Sequence, residues 1–433
     1  METALTDGSL ARQGTTPAFP ANEEAAPSRA ELLIALGHGR AGTHLLMVAF
    51  DQGVSWDMLS DEMVDRVEST VLARLRRVVG RQGVYRSSRN TFIVVLNELD
   101  DTSAISTAEH LVEVVNRAML LSGQAVHVRS AVGVTTIDSN TPAETNLRHA
   151  RIALMAACQV SKGSVSIFTS AMLEVAEERR ALEADLRQTA SLNEFSVVFQ
   201  PQFNILNGSL VGFEALVRWA HERRGHVSPA VFIPLAEDLG LISNIGEWVL
   251  RQACQVASEW PSWVSVSVNV SPAQLEDRNF ERIVKSALED AKIEPRRLEL
   301  EVTEGVLLPN DTKVMALIDG LRRLGVRLAL DDFGTGYSSL AYLQRFSFDK
   351  LKIDQAFVRS EPSKANMAIL RAAIGIAQAL NMEAIAEGVE TEEQLALVRD
   401  AGCFLVQGYL TGRPVSAQDA TRIANSTEAT SDF

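Results

Sequence analysis

The chain has 433 residues, 46% of them hydrophobic and 22% charged, so it is globular in composition and long enough for two domains. Its 41 basic and 55 acidic residues give a formal net charge of −14, which argues against nucleic acid or an anionic membrane surface as a partner. The cysteines, Cys158, Cys254 and Cys403, form no CxxC pair, so neither a disulfide framework nor a zinc site is predicted.

The first segment, 1–28, is rich in Ala, Pro, Thr, Gly and Glu, and we expect a disordered tail there. It lacks a basic region followed by an apolar one, so no signal peptide is predicted. No run approaches the ~18 uncharged apolar residues of a membrane helix. We therefore expect a cytoplasmic protein without a membrane partner.

Residues 29–170 predict an α+β domain, because short apolar strands alternate with helical periodicity. The predicted elements are a strand at 45–50, a helix at 58–79, a hairpin at 84–96, a helix at 105–121, a strand at 127–136, a helix at 144–160 and a strand at 165–168. A charged helix at 171–190 then connects to the next domain. A coiled-coil surface is the alternative for this helix, but its length disfavours that reading.

From Phe195 onward, apolar runs of strand length alternate with helical segments. Such an alternation over about 230 residues is typical of an α/β fold of the (β/α)8 barrel type. We assign 191–420 to this barrel and 421–433 to a C-terminal tail. The predicted strands are Phe195–Gln200, Leu210–Val217, Val264–Val270, Leu298–Val302, Leu328–Leu330, Leu351–Ile353, Ala384–Ala386 and Phe404–Val406.

Polar groups stand at or near the ends of these runs, where barrels of this type place their active sites. Alternation along Val264–Ser271 turns Asn269 into the barrel mouth, and the same rule turns Glu301 inward and places Glu299 deeper, as a structural hydrogen-bonder. The polar residues are Glu214, Asn269, Glu301, Asp331, Asp332, Lys352, Glu387 and Gln407.

Carboxylates and an amide oxygen, without histidine or cysteine, are the ligands that Mg²⁺ or Mn²⁺ prefers. A pair of such ions suits phosphodiester hydrolysis, in which one lysine could orient the attacking water and Arg218 could hold a phosphate oxygen. Standing alone, Asp331-Asp332 would be equally compatible with a helix N-cap in a turn.

The motifs in this half resemble those of the EAL domain family, in the family's order over about 195–415. They are Phe199-Gln200-Pro201, Gly212–Trp219, Val268–Ser271, Glu301–Glu304, Asp331–Gly336, Leu351–Asp354, Ala386–Glu390 and Gln407-Gly408-Tyr409.

The resemblance implies hydrolysis of cyclic di-GMP to linear pGpG with two Mg²⁺ or Mn²⁺ ions per barrel. Asp331–Tyr337 would be a mobile loop that shapes the metal site and a homodimer contact. The implied metal ligands are Glu214, Asn269, Glu301, Asp331 and Asp332. The implied catalytic residues are Lys352 and Glu387, which position or deprotonate the water, and Glu304, which anchors the loop. The implied substrate-binding residues are Gln200, Arg218 and Gln407.

The N-terminal half is similar to a GGDEF domain, a nucleotidyl-cyclase-like fold, through Phe92–Leu96 and Leu147–Cys158. Its five signature positions, however, read Ser88-Arg89-Asn90-Thr91-Phe92, without the glycines and acids of that family. Asp51 is the nearby candidate for the metal aspartate of the first strand. We expect a degenerate regulatory domain, which could retain GTP as a ligand, and not a diguanylate cyclase.

Two functions remain open at this stage. The first is an active cyclic di-GMP phosphodiesterase, which the complete set of site residues favours. The second is a non-catalytic cyclic di-GMP receptor or protein-interaction regulator, which has no chemical need for Lys352, Glu387 and both aspartates.

Overall fold

The computed structural model describes residues 32–33, 36, 42–51, 60–80, 83–97, 99–121, 123–138, 140–160, 164–189, 193–303, 312–334, 346–359 and 364–426. The expected tail at 1–28 lies outside the described residues. The chain divides into two compact units, 1–181 and 182–433.

The first unit is built on a five-stranded sheet with helices on both faces. The sheet order is β2-β3-β1-β6-β7, with β6 and β7 parallel and the other neighbours antiparallel. Gly133 in β6 allows close packing, since a Cβ there would lie 2.3 Å from the carbonyl oxygen of Ala150. The strands are β1 (His44–Asp51), β2 (Val84–Ser88), β3 (Thr91–Leu96), β4 (Met119–Leu121), β5 (Gln124–Val126), β6 (Arg129–Thr136) and β7 (Val165–Ile167).

The helices of this unit are α1 (Asp61–Val79), α2 (Asp101–Asn116) and α3 (Ala143–Val160). Helix α2 was expected at 105–121 but begins earlier, because the Asp100 side chain caps it by accepting from the Ser103 amide at 2.7 Å. It also ends earlier, since Met119–Leu121 pair with β5 as a strand. The rest of the predicted element order is confirmed.

The boundary between the two units, at residues 181 and 182, lies within the connecting helix α4 (Ser170–Gln188). Its N-terminal half is largely exposed, whereas Leu182 and Leu186 belong to the hydrophobic core of the second unit. Asp185, on the same part of the helix, is also buried.

The second unit is an eight-stranded barrel whose strands follow in the order β9-β11-β12-β13-β14-β15-β16-β8, closed by pairing of β8 with β9. The predicted barrel is confirmed. Its strands, with the short outer strand β10, are β8 (Phe195–Asn204), β9 (Ser209–His221), β10 (Gly225–Val227), β11 (Ser265–Val270), β12 (Leu298–Thr303), β13 (Arg327–Phe333), β14 (Lys350–Ile353), β15 (Glu383–Ala386) and β16 (Leu405–Gln407).

Helices cover the outside of this barrel, and outward side chains such as Val266 and Val268 join them in one core. None of the helices in the described part of the chain has the length and apolar character needed to cross a membrane. The helices are α5 (Pro229–Asp238), α6 (Ile242–Ala257), α7 (Pro272–Glu276), α8 (Phe280–Ala291), α9 (Thr312–Leu324), α10 (Gln355–Arg359), α11 (Lys364–Ala379), α12 (Glu392–Ala401) and α13 (Ala417–Ser426).

The first barrel strand differs from the simple (β/α)8 pattern, because β8 runs antiparallel to both β9 and β16. A hairpin joins β8 to β9, with Gly208 at φ +70°. Asn-Gly between two apolar runs is a strong hairpin signal, so Asn207-Gly208 accounts for the reversed direction.

The expected barrel boundary at residue 420 falls inside α13. The helix continues to Ser426 because Ala424 is buried in the barrel core and Trp260 donates a 3.1 Å hydrogen bond to the Thr421 hydroxyl.

Candidate active site

The site lies in the barrel interior, where alternate residues of each strand point inward. In β11, Asn269 and Ser267 face the interior as predicted, while Val266 and Val268 pack outward. Glu301 also points into the barrel, since its Oε2 lies 2.5 Å from the Nζ of Lys352 on β14, and this is the orientation predicted from strand alternation.

The ammonium of Lys352 is the centre of the site and is surrounded by carboxylates. Its Nζ lies 2.5 Å from Glu301 Oε2, 2.7 Å from Glu387 Oε1 and 3.1 Å from Asp331 Oδ2. Glu214 Oε1 is farther away, at 3.7 Å. The structure thus brings together side chains from β9, β12, β13 and β14 and the end of β15.

Two amides hold the Glu214 carboxylate. Asn269 Nδ2 donates to Glu214 Oε1 at 2.7 Å, and Gln407 Nε2 donates to Glu214 Oε2 at 2.5 Å. The Gln407 amide also donates to Gln200 Oε1 at 3.2 Å. Gln407 was predicted to hold substrate; in the structure its buried amide is bonded to protein groups that include Glu214.

Burial and mutual repulsion set the charge states of these carboxyls. Burial raises the pKa of Glu301 well above its usual range, and burial raises that of Glu387 to about 8, although Lys352 opposes both shifts. Glu214 is the contrast: Lys352 and the two amide donors outweigh burial and lower its pKa. Burial would lower the pKa of Lys352, but the carboxylates, Asp331 first among them, raise it well above its ordinary value.

A second polar layer lies deeper in the barrel, and two of its members were missed from the sequence. Lys350 Nζ lies 2.7 Å from Glu299 Oε1 and 3.4 Å from Gln202 Oε1. Lys350 and Glu299 are each 0% exposed, which confirms the structural role predicted for Glu299. Gln202 and Lys350 stand two residues from Gln200 and Lys352, so strand alternation applied to β8 and β14 would have found both.

The aspartate pair sits on an irregularity of β13, where the register to β14 shifts between Leu330 and Phe333. Asp332 has φ +55° and its side chain is exposed, whereas Asp331 is buried beside Lys352. Although much of its surface is exposed, the carboxyl of Asp332 is partly buried, and this partial burial, followed by the charges of Asp331 and Asp354, raises its pKa. The loop residues 335–337 and Glu304 lie outside the described residues.

Two adjoining depressions open at this end of the barrel. A cleft of about 210 Å³ is lined by Gln200, Glu214, Asp331, Lys352, Glu387 and Gln407, together with Gln355, Arg359, Glu390 and Tyr409, which the sequence did not single out. A more apolar pocket of about 480 Å³ is lined in part by Arg218, Asn269 and Thr303. Arg218 is half-buried there, and its Nη1 donates to the Val217 carbonyl at 2.9 Å.

The donor set fits a hard divalent cation, because it offers carboxylate and amide oxygens and the carboxylates outnumber the ammonium. Glu301 Oε1 is buried and makes no hydrogen bond to any described residue. Within the described ranges, no three His, Cys, Asp or Glu side chains are already arranged to bind a metal ion. The carboxylates of the site are directed toward Lys352 instead. The residues therefore fit a cation that shares the carboxylates with this lysine.

The signature turn of the first unit contacts the start of α1 through an exposed ion pair. Arg89, between β2 and β3, donates to Asp61 Oδ1 at 3.0 Å at the start of α1. Asp51, at the end of β1, pairs across the sheet with Arg129, whose Nε lies 3.8 Å from Asp51 Oδ1.

Comparisons with known proteins assign both halves of the chain. A family model for the EAL domain matches residues 183–414, and one for the diguanylate cyclase GGDEF domain matches 54–163. The uncharacterized protein y4lL of Sinorhizobium fredii is 38% identical over 82% of this chain and 44% of its own length. The cyclic di-GMP phosphodiesterase NbdA of Pseudomonas aeruginosa is 35% identical over 83% of this chain and 47% of its own.

A solved structure described as the PaMucR phosphodiesterase in complex with c-di-GMP is 38% identical, with a TM-score of 0.53 over 55% of this chain and 99% of that one. The chain spans about half the length of the curated relatives it matches. The EAL model covers more than half of the chain and coincides with the barrel that carries the Lys352 cluster. The chain therefore belongs to the EAL domain family, with a GGDEF domain ahead of the EAL barrel.

Proposed function

We propose that the barrel hydrolyses cyclic di-GMP to linear pGpG and that this reaction depends on Mg²⁺ or Mn²⁺. The observation that carries the proposal is the convergence of Glu214, Glu301, Asp331 and Glu387 on Lys352 at the mouth of the barrel. It is supported by the names of the similar proteins, a cyclic di-GMP phosphodiesterase and a phosphodiesterase complexed with c-di-GMP.

In this proposal, Glu214, Asn269, Glu301, Asp331 and Asp332 would hold the cations. A bound divalent cation would lower the pKa of an adjacent water and stabilise negative charge on the phosphoryl oxygens. Because Asn269 turns its Nδ2 toward Glu214, its amide oxygen faces away from that carboxylate and would be the atom that binds a cation.

Residues of the barrel then position one water molecule for attack on the phosphorus of one phosphodiester. Glu387 accepts a proton from the water while Lys352 orients it, and the water oxygen forms a bond to phosphorus. The bond from phosphorus to the 3′ oxygen breaks, and this oxygen takes up a proton from solvent to become a hydroxyl. The product is linear pGpG with a 5′ phosphate, and Glu387 returns its proton to solvent. Gln200 and Arg218 border the cleft and the adjoining pocket and would hold the dinucleotide.

The test is incubation of the purified full chain with cyclic di-GMP and Mg²⁺ or Mn²⁺, with detection of pGpG by chromatography. We expect pGpG with either ion and none after treatment with EDTA. Folded protein that binds cyclic di-GMP but produces no pGpG with either ion would replace the enzyme with a non-catalytic receptor.

We further propose that the GGDEF domain is catalytically inactive and regulatory. Its turn at Ser88–Phe92 lacks the glycines and acids of the signature, and Arg89 is engaged with Asp61. GTP binding at this domain is part of the proposal and is tested by titration of the full chain with GTP.

A further inference from the structure

We propose that Lys350 and Gln202 are positioning residues that set the orientation of the Glu214 carboxylate, through the amide of Gln407. This inference rests on the proposed function, because Glu214 is there a metal ligand. It assigns a role to the deeper polar layer of Lys350, Glu299 and Gln202, which does not line the cleft and meets it through Gln407.

The arrangement starts at a buried ion pair. Lys350 Nζ lies 2.7 Å from Glu299 Oε1, and both side chains are inaccessible to solvent. Ser267 Oγ also donates to Glu299 Oε1, at 3.3 Å. An ammonium has three donors and no acceptor, so a side-chain amide beside it must turn its oxygen toward it.

Gln202 has the amide orientation that Lys350 requires, and this in turn determines the amide orientation of Gln407. Its Oε1 faces Lys350 Nζ at 3.4 Å, which leaves Nε2 to donate to Gln407 Oε1 at 2.9 Å. Gln407 must then turn its own Nε2 to the other side, where it donates to Glu214 Oε2 at 2.5 Å. The donor character of one lysine thus fixes the direction of two successive amides.

A reversed Gln407 amide would present its oxygen to the Glu214 carboxylate, and two acceptors repel. Glu214 would then lose the donor on Oε2 while keeping Asn269 on Oε1, so its carboxylate could rotate. Groups that orient a metal-binding side chain typically affect metal affinity by about 10- to 100-fold. The deeper layer therefore acts on cation affinity without touching cation or substrate.

The test measures Mn²⁺ dissociation constants by electron paramagnetic resonance on metal-free full chain, without substrate. Gln202→Met and Gln202→Glu should both weaken Mn²⁺ binding by about 10- to 100-fold, because neither can donate to Gln407. Gln202→Glu separates the proposal from simple packing, since it keeps the shape of Gln202 and an acceptor for Lys350. It also separates it from a charge effect, because an added negative charge alone would strengthen cation binding. Ser267→Ala is the matched control: it removes a contact to Glu299 at the same depth but leaves Gln202 and Gln407 in place.

A second variant removes the ion pair between Lys350 and Glu299, at which this series of hydrogen bonds begins. Lys350→Met combined with Glu299→Met deletes both buried charges together, so neither is left unpaired. Arg327 Nε lies 3.8 Å from Glu299 Oε2 and would lose that contact, but Arg327 keeps its ion pair with Glu383. It should weaken Mn²⁺ binding to a similar extent, and saturating Mn²⁺ should restore turnover in each variant. Folded Gln202 variants with the wild-type Mn²⁺ constant would overturn the inference while leaving the proposed hydrolysis intact. Wild-type protein that binds Mn²⁺ but forms no pGpG would instead overturn the proposed function and leave this inference standing.

Discussion

A single ammonium shared among several carboxylates is the main feature at the scale of residues. Lys352 lies within hydrogen-bond distance of Glu301, Glu387 and Asp331, and partial neutralisation of this kind is what permits buried carboxylates to remain close. The remaining negative charge is suited to cations, so changes at these positions should act on chemistry more than on folding.

Asp331→Asn and Glu214→Ala should each lower the turnover of cyclic di-GMP by about 10²- to 10³-fold, the usual cost of losing one group that stabilises transition-state charge. Turnover of each purified variant is compared with wild type at saturating Mn²⁺, and circular dichroism verifies the fold. Wild-type turnover in either variant would show that the site is misplaced.

The sequence predicts the upper layer of the site better than the lower one. Alternation along β11 and β12 gave the inward orientation of Asn269 and Glu301, but Gln202 and Lys350 escaped notice because they lie below the strand ends. The orientation of the Gln407 amide could not be predicted at all, because it depends on neighbours from separate strands.

At the scale of elements, the second half of α4 is tied to the turn that follows β9. Asp185 Oδ2 accepts from Arg224 Nε at 2.7 Å, and Oδ1 accepts from Arg223 at 2.9 Å. Sequence periodicity located this helix but could not show that its two halves belong to different units, since Leu182 and Leu186 have no local signal for their partner.

Asp185→Asn should lower the melting temperature of the protein at neutral pH. The hydrogen bond from Arg224 holds the pKa of Asp185 below its usual value, so its contribution is fully present above the unfolded pKa of about 3.9. The contribution is lost as pH falls through the lower, folded-state pKa, and the two proteins should then melt alike.

Melting curves from pH 7 to pH 3 measure this difference. Glu174→Gln, an exposed carboxylate on the same helix, is the control and should show no such dependence. A difference between Asp185→Asn and wild type that stays constant down to pH 3 would contradict the electrostatic explanation.

At the scale of the whole molecule, the two units contrast in their chemistry. The barrel gathers functional groups around Lys352, whereas the GGDEF turn at Ser88–Phe92 keeps its strands without the acids and glycines of the signature. A domain that keeps its hydrophobic core but lacks its catalytic residues can still serve as a regulatory binding surface.

Incubation of the full chain with GTP and Mg²⁺ should therefore yield no cyclic di-GMP. Product formation is followed by chromatography in a preparation of the Asp331→Asn variant, so that hydrolysis cannot hide synthesis. Cyclic di-GMP made from GTP alone would contradict the assignment of the domain as inactive.

A barrel fragment should keep its full stability only if it includes the second half of α4. A fragment of 170–433 keeps Leu182 and Asp185, while one of 186–433 lacks both and should melt at a lower temperature. Comparing the kinetics of 170–433 with the full chain, with and without GTP, measures regulation, for which we expect about 5- to 150-fold in affinity. Identical kinetics in every condition would remove the regulatory role.

The reversed first strand also has a consequence for the order in which the barrel folds. Strand β8 meets β9 through a short hairpin, but its pairing with β16 joins Gln202 to Gln407, which are 205 positions apart. Local hairpins form in about 1–10 μs, whereas contacts of high sequence separation require a large loss of chain entropy first. We therefore expect β8 to pair with β9 before it pairs with β16. Until β16 pairs with it, the edge of β8 that faces β16 has unpaired backbone groups, and such an edge can pair with other molecules.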